Sequence, residues 1–85
     1  MSSMKSEICK QLEHLGKELQ ELRSRMPLKN GKAWTQQDVA NELGITYQSY
    51  QAYELGKAYP TLKNFLKLSE LFDVSLDSLV GKKEI

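Results

Sequence analysis

The punctuation between Thr35 and Gly56 restricts most what this chain can fold into. Thr35 offers a side-chain oxygen to cap a helix. Asp38 puts a carboxylate in that helix's first turn, where the positive end of the helix dipole favours it. Gly44 suits the left-handed conformation that stops a helix, Thr46 can cap the next, and Gly56 stops that one in turn. The pattern predicts a helix over Gln36–Leu43, a three-residue connection, and a helix from Tyr47 to Leu55. Val39, Ala40 and Leu43 form the inner face of the first, and small Ala40 lets the second approach closely. Ile45, Tyr50 and Tyr53 supply the inner face beyond the turn. Tyr47, Gln48, Gln51 and Ala52 then lie on the outside of the second helix, a polar, amide-rich and uncharged face.

The flanking segments are helical too. Ile8, Leu12, Leu15, Leu19, Leu22 and Met26 recur with spacing 4-3-4-3-4, one stripe of a long helix that Pro27 ends near Arg25. Leu28–Trp34, with Asn30-Gly31 and two lysines, has turn chemistry and no period, so it reads as an exposed loop. Pro60-Thr61 starts a fourth helix running to Phe72, and Ser75–Val80 accommodates a short fifth. No segment alternates with period 2 for long enough to form a strand, and no internal repeat is present. The expected fold is all-α, a compact bundle of about five helices.

Composition limits the functions open to such a bundle. At 85 residues, 40% hydrophobic and 27% charged, the chain matches one soluble domain with a modest core. The single Cys9 excludes an intramolecular disulfide, and with the single His14 leaves too few ligands for structural zinc. No metal or other cofactor is expected. The polar start Met1–Lys5 carries neither a signal peptide nor a membrane span, so a cytoplasmic setting is expected. His14, on a charged helix, reads as solvated, Cys9 as inert, and Lys82-Lys83 as too short for a basic tail. No constellation of catalytic groups is recognisable, so an enzyme is not expected. Trp34 reads as a core anchor, with a partner contact as the alternative. The net charge of +1 does not decide for or against nucleic acid, because distribution over the surface matters more.

Glutamine can read adenine bidentately in the major groove, and an exposed Tyr or Ala can meet a thymine methyl or a phosphate. In helix-turn-helix docking, the second helix presents its N-terminal residues to base edges while the first offers free N–H groups to phosphate. Gln36 stands at that first N-terminus. The segment with Gln36, Ala40, Gly44 and Ile45 resembles the lambda-repressor-like (Cro/cI type, or XRE) helix-turn-helix family. Leu19-Gln-Glu-Leu-Arg23 looks like that family's first helix, Tyr53-Glu-Leu-Gly-Lys57 like its end of helix 3, and Pro60–Leu79 follows its helices 4 and 5. The likeness covers residues 15–80, with residues 1–14 as an N-terminal helical extension and 81–85 as a C-terminal tail.

The resemblance implies that Gln36 and Lys57 bind phosphate and that Tyr47, Gln48, Gln51 and Ala52 face bases, with Thr46 and Ser49 completing the DNA-binding set. It also implies an ion pair between Arg23 and Glu54 tying helix 1 to helix 3. Two departures stand out. The connection from Arg23 to Gln36 is longer than the family's usual one. Residues 35–56 hold Asp38, Glu42 and Glu54 but no Lys or Arg, a segment charge of −3. Such weak basicity makes a homodimer important, because two modest half-site contacts reinforce each other. The expected function is therefore sequence-specific binding of double-stranded DNA by a transcriptional repressor, as a dimer on a palindromic operator. The alternative is a protein-interaction module such as an antitoxin, gripping its partner through Ile8, Leu12, Leu28 and Trp34.

Overall fold

The computed structural model describes residues 3–81, with side chains from Lys10 onward. The helices among them are α1 (Ser3–Arg25), α2 (Gln36–Leu43), α3 (Tyr47–Glu54), α4 (Leu62–Phe72) and α5 (Leu76–Val80). Extended pairing among the described residues is limited to one antiparallel bridge, Lys29 with Lys32.

Local chemistry sets the boundaries of the last four helices. Thr35, Thr46, Thr61 and Ser75 are extended N-caps whose hydroxyls accept the backbone N–H of Asp38, Ser49, Asn64 and Ser78. A cap of this kind is worth about 1 kcal/mol. α3 ends at Glu54, with Leu55 as its cap. α1 ends at Arg25, ahead of Pro27, which cannot continue it.

The stripe on α1 buries Leu15, Leu19 and Leu22 and half-buries Leu12 and Met26. The side chains of Ile8 and Cys9 lie outside the described residues, as do Lys82 and Lys83. α1 packs across α3 and α5, α2 packs on α3 and α4, and α4 packs on α5. Val39, Ala40, Leu43, Tyr50, Leu68 and Leu79 close the core between them. Each fully buried Leu or Val contributes about 1.5–3 kcal/mol.

Two segments depart from the expectations. His14 is exposed, but it is not merely solvated: its Nε2 donates to the Ser78 carbonyl oxygen at 3.0 Å and links α1 to α5. That bond spans 64 residues, so no local pattern could announce it. The connection before α2 is more ordered than a plain loop. Lys29 and Lys32 exchange backbone hydrogen bonds of 2.7 and 3.0 Å across Asn30-Gly31, whose φ angles are 54° and 80°. This is the hairpin turn with two positive φ values that matches the strands' natural twist.

Candidate nucleic-acid interface

The α2–α3 unit is fastened at both of its joints. At the entry, Thr35 and Asp38 form a reciprocal capping box: the hydroxyl accepts Asp38 N–H at 3.1 Å and the carboxylate accepts Thr35 N–H at 2.9 Å. The Thr35 backbone N–H holds the Asp38 carboxyl below its ordinary range. At the turn, Gly44 takes φ 73°, a left-handed value that costs an L-residue with a side chain. The Gly44 and Ile45 N–H groups return to Asn41 and Ala40 carbonyls at 3.2 and 3.0 Å. Lys67 of α4 donates its Nζ to the Leu43 carbonyl at 2.9 Å, placing a cation at the negative end of the α2 dipole.

Beneath α3 lies a polar network centred on Glu54, which is only 3% exposed. Arg23 reaches across from α1, its Nε 2.7 Å from Glu54 Oε2 and its Nη2 3.0 Å from Oε1. Its Nη1 donates to the Trp34 carbonyl at 3.1 Å. Gln36 Nε2 donates to Glu54 Oε1 at 2.8 Å, and Gln20 Nε2 to the Glu54 carbonyl at 2.9 Å. One carboxylate therefore joins α1, α2 and α3. Burial by itself pushes the Glu54 carboxyl up, but the hydrogen bonds from Arg23 and its neighbours prevail and hold it below the ordinary range. The bond to Glu54 in turn raises the Arg23 guanidinium. The Tyr50 hydroxyl is buried beside this pair without a hydrogen bond of acceptable geometry, and burial raises it far above the usual phenol range. Gly16 lets the helices meet: a Cβ there would stand 2.5 Å from the Glu54 carbonyl oxygen.

The outward side of α3 is different in kind. Gln48 is exposed and makes no side-chain hydrogen bond among the described residues, while Tyr47, Gln51 and Ala52 are half-buried around it. Gln51 Nε2 donates to the Tyr47 hydroxyl at 3.1 Å, which orients both side chains. Thr46 and Ser49 are exposed at the start of α3, joined to each other by a 2.9 Å hydroxyl contact. Lys57 is exposed just past the helix. Tyr47, Gln48, Gln51 and Ala52 thus share one face, Thr46 and Ser49 stand at its N-terminal edge, and Lys57 lies beyond its C-terminal end.

Gln36 departs from its expected role. Its side-chain amide is turned inward to Glu54, because Oε1 of that carboxylate still has a lone pair to offer after Arg23. What α2 presents outward is the backbone N–H of Gln36 and Gln37, first-turn groups that a helix leaves without internal partners. The sequence patterns did not single out Gln20, Gly16 or Lys67. Only Gly16 carried a signal, since a glycine inside a helix is costly unless a close approach requires it.

Of the residues expected for a protein-interaction surface, the side chain of Ile8 lies outside the described residues. Leu28 is 67% exposed, but Leu12 is half-buried. Trp34 packs against the core with Lys29 Nζ 4.8 Å from its ring centre. Among the described residues no helix is long and apolar enough to cross a membrane, and no group of His, Cys, Asp and Glu is placed to hold a metal ion.

A five-helix domain with a tight, doubly capped turn and a supported outward helix defines the helix-turn-helix class. The helix-turn-helix family HTH_3 matches residues 29–79, more than half of the chain. The chain belongs to this family, the XRE or Cro/cI type of transcriptional regulator, which is not a family of enzymes. It is 40% identical over 48 residues to the cryptic phage CTXphi transcriptional repressor RstR of Vibrio cholerae, covering 56% of this chain and 43% of that protein. It is 49% identical over 49 residues to the HTH-type transcriptional regulator YqaE of Bacillus subtilis, covering 58% and 42%. The chain thus spans less than half the length of these relatives. The solution structure of the SOS-response transcriptional repressor LexA from Eubacterium rectale superposes with a TM-score of 0.73 at 20% identity, over 89% of this chain and 74% of that one. That likeness is one of fold.

Proposed function

We propose that this chain binds double-stranded DNA sequence-specifically and acts as a transcriptional repressor, as a homodimer on a palindromic operator, in the cytoplasm. The observation that carries the reading is the α3 face. Gln48 projects unpaired between Tyr47, Gln51 and Ala52, and the helix beneath them is held by the Arg23–Glu54–Gln36 network. Gln48 and Gln51 supply base-reading amides, Tyr47 and Ala52 the apolar contacts, and Lys57 with the α2 N-terminus the phosphate contacts that set the register. Repression is favoured by the likeness to RstR, a transcriptional repressor. The absence of Lys and Arg from residues 35–56 favours a dimer, whose two half-sites would lie roughly 34 Å apart, one helical turn.

The test is selection from a random pool of duplex DNA, followed by fluorescence-anisotropy titration of the enriched sequence at two salt concentrations. The expected result is a palindromic site whose affinity falls as salt rises. No enrichment, or binding weaker than about 10⁻⁴ M at physiological salt, overturns the proposal.

A further inference from the structure

The hairpin before α2 takes no part in the α3 face, and its charges are placed against each other. Lys29 and Lys32 stand directly opposite in the antiparallel bridge and exchange both backbone hydrogen bonds. Residues paired in this way send their side chains to the same side of the hairpin, where like charges repel. Lys29 is compensated within the chain: its Nζ lies 4.8 Å from the Trp34 ring centre and 3.8 Å from Glu42 Oε2. Lys32 is exposed and has no ion-pair partner among the described residues. Both lysines line an open cleft whose other wall is Thr35 and Asp38, the cap and first turn of α2.

We propose that Lys32 is a DNA-backbone contact, held by the hairpin on a phosphate beside the one that meets the Gln36 and Gln37 N–H groups. In helix-turn-helix docking the N-terminus of α2 lies against the sugar–phosphate backbone. A cation that shares a cleft with that first turn has a neighbouring phosphate of the same strand within reach. The phosphate supplies the counter-charge that Lys29 finds in Glu42 and Lys32 lacks. Asp38 does not compete for it, because its carboxylate accepts the Thr35 N–H at 2.9 Å. Residues 35–56 hold three carboxylates and no Lys or Arg, so the cations that hold the duplex stand outside α2 and α3. Lys57 follows that unit and Lys32 precedes it. The turn at Asn30-Gly31, with both φ values positive, presets the position of Lys32, so little ordering is left to be done on binding. A phosphate contact adds affinity and register without choosing a base. The contact rests on the proposed function.

The test compares wild type, Lys32→Ala and Lys32→Arg on the selected site and on an unrelated duplex, by anisotropy titration across a salt series and by phosphate-ethylation interference. Lys32→Ala weakens binding to both duplexes alike, about tenfold per protomer, and lowers the salt slope by about 1 per protomer. Lys32→Arg keeps the wild-type slope. Ethylation of one phosphate in each half-site weakens wild type but not Lys32→Ala. The side chain is exposed, so thermal melting followed by circular dichroism stays at the wild-type value. An unchanged slope for Lys32→Ala in a chain whose wild type binds the selected site overturns this contact and leaves the proposed function standing. So does an ethylation pattern identical to wild type. A wild type that binds no duplex overturns both.

Discussion

The two connections that flank α2 are built on opposite plans. The α2–α3 turn is short and supported from far along the chain: Lys67 caps α2, and Arg23 of α1 fastens Glu54 at the end of α3. The α1–α2 connection is long, anchored at its end by Arg23 and by Trp34 on the core, and its hairpin closes on itself. Lys29 and Lys32 close a hairpin turn, Lys29 covers Trp34 and lies 3.8 Å from Glu42, and Leu28 is left in solvent. The orientation of α3 is therefore a property of the whole domain, whereas the hairpin is a local device. Damage to the distant supports of α3 should disturb fold and recognition together. Damage at the hairpin should be felt little beyond it.

The largest effect that separates the two is Arg23→Ala, which leaves the Glu54 side chain, 1% exposed, without its cation. The expected loss is about 3–5 kcal/mol in urea denaturation, and a loss near zero would remove the contrast. The same carboxylate sets a pH dependence. Its folded pKa lies below the ordinary value of 4.5, so its contribution is complete above that pH and disappears as pH falls through the depressed folded value. Glu54→Gln should flatten the acid limb of the stability profile, and an unchanged limb would assign acid unfolding to other groups. Thr35→Ala, which opens the capping box at the joint between the two regions, should cost about 1 kcal/mol. Leu28→Ala beside the hairpin, where the side chain is 67% exposed, should shift stability by no more than about 0.5 kcal/mol. A larger shift there would show that Leu28 contributes to folding despite its exposure.

The same contrast explains what was legible from residues alone. The bounds of α2, the Thr35 and Thr46 caps and the left-handed Gly44 follow from chemistry within a few positions, and patterns of that range can be read directly. The hairpin was visible as turn chemistry at Asn30-Gly31, although its backbone pairing was not. Contacts across long separations were opaque: His14 to Ser78, Lys67 to Leu43 and the backbone approach at Gly16 depend on how the helices cross. In the candidate site, the outward placement of Gln48 follows from helical period. The inward turn of the Gln36 amide could not be seen, because it answers to a carboxylate 18 residues away. The Arg23–Glu54 pair was legible only through family resemblance, since its members are 31 residues apart with no shared period.

The most direct measurement of the central claim, that the outward face of α3 reads bases while Lys57 only anchors the duplex, compares Gln48→Ala with Lys57→Ala by anisotropy titration. Both variants would be tested on the selected site, on single-base variants of it and across a salt series. The account predicts that Gln48→Ala narrows the gap between cognate and variant sites. It predicts that Lys57→Ala weakens binding to every sequence alike and lowers the salt slope by about 1. Equal losses on all sequences for Gln48→Ala would contradict it.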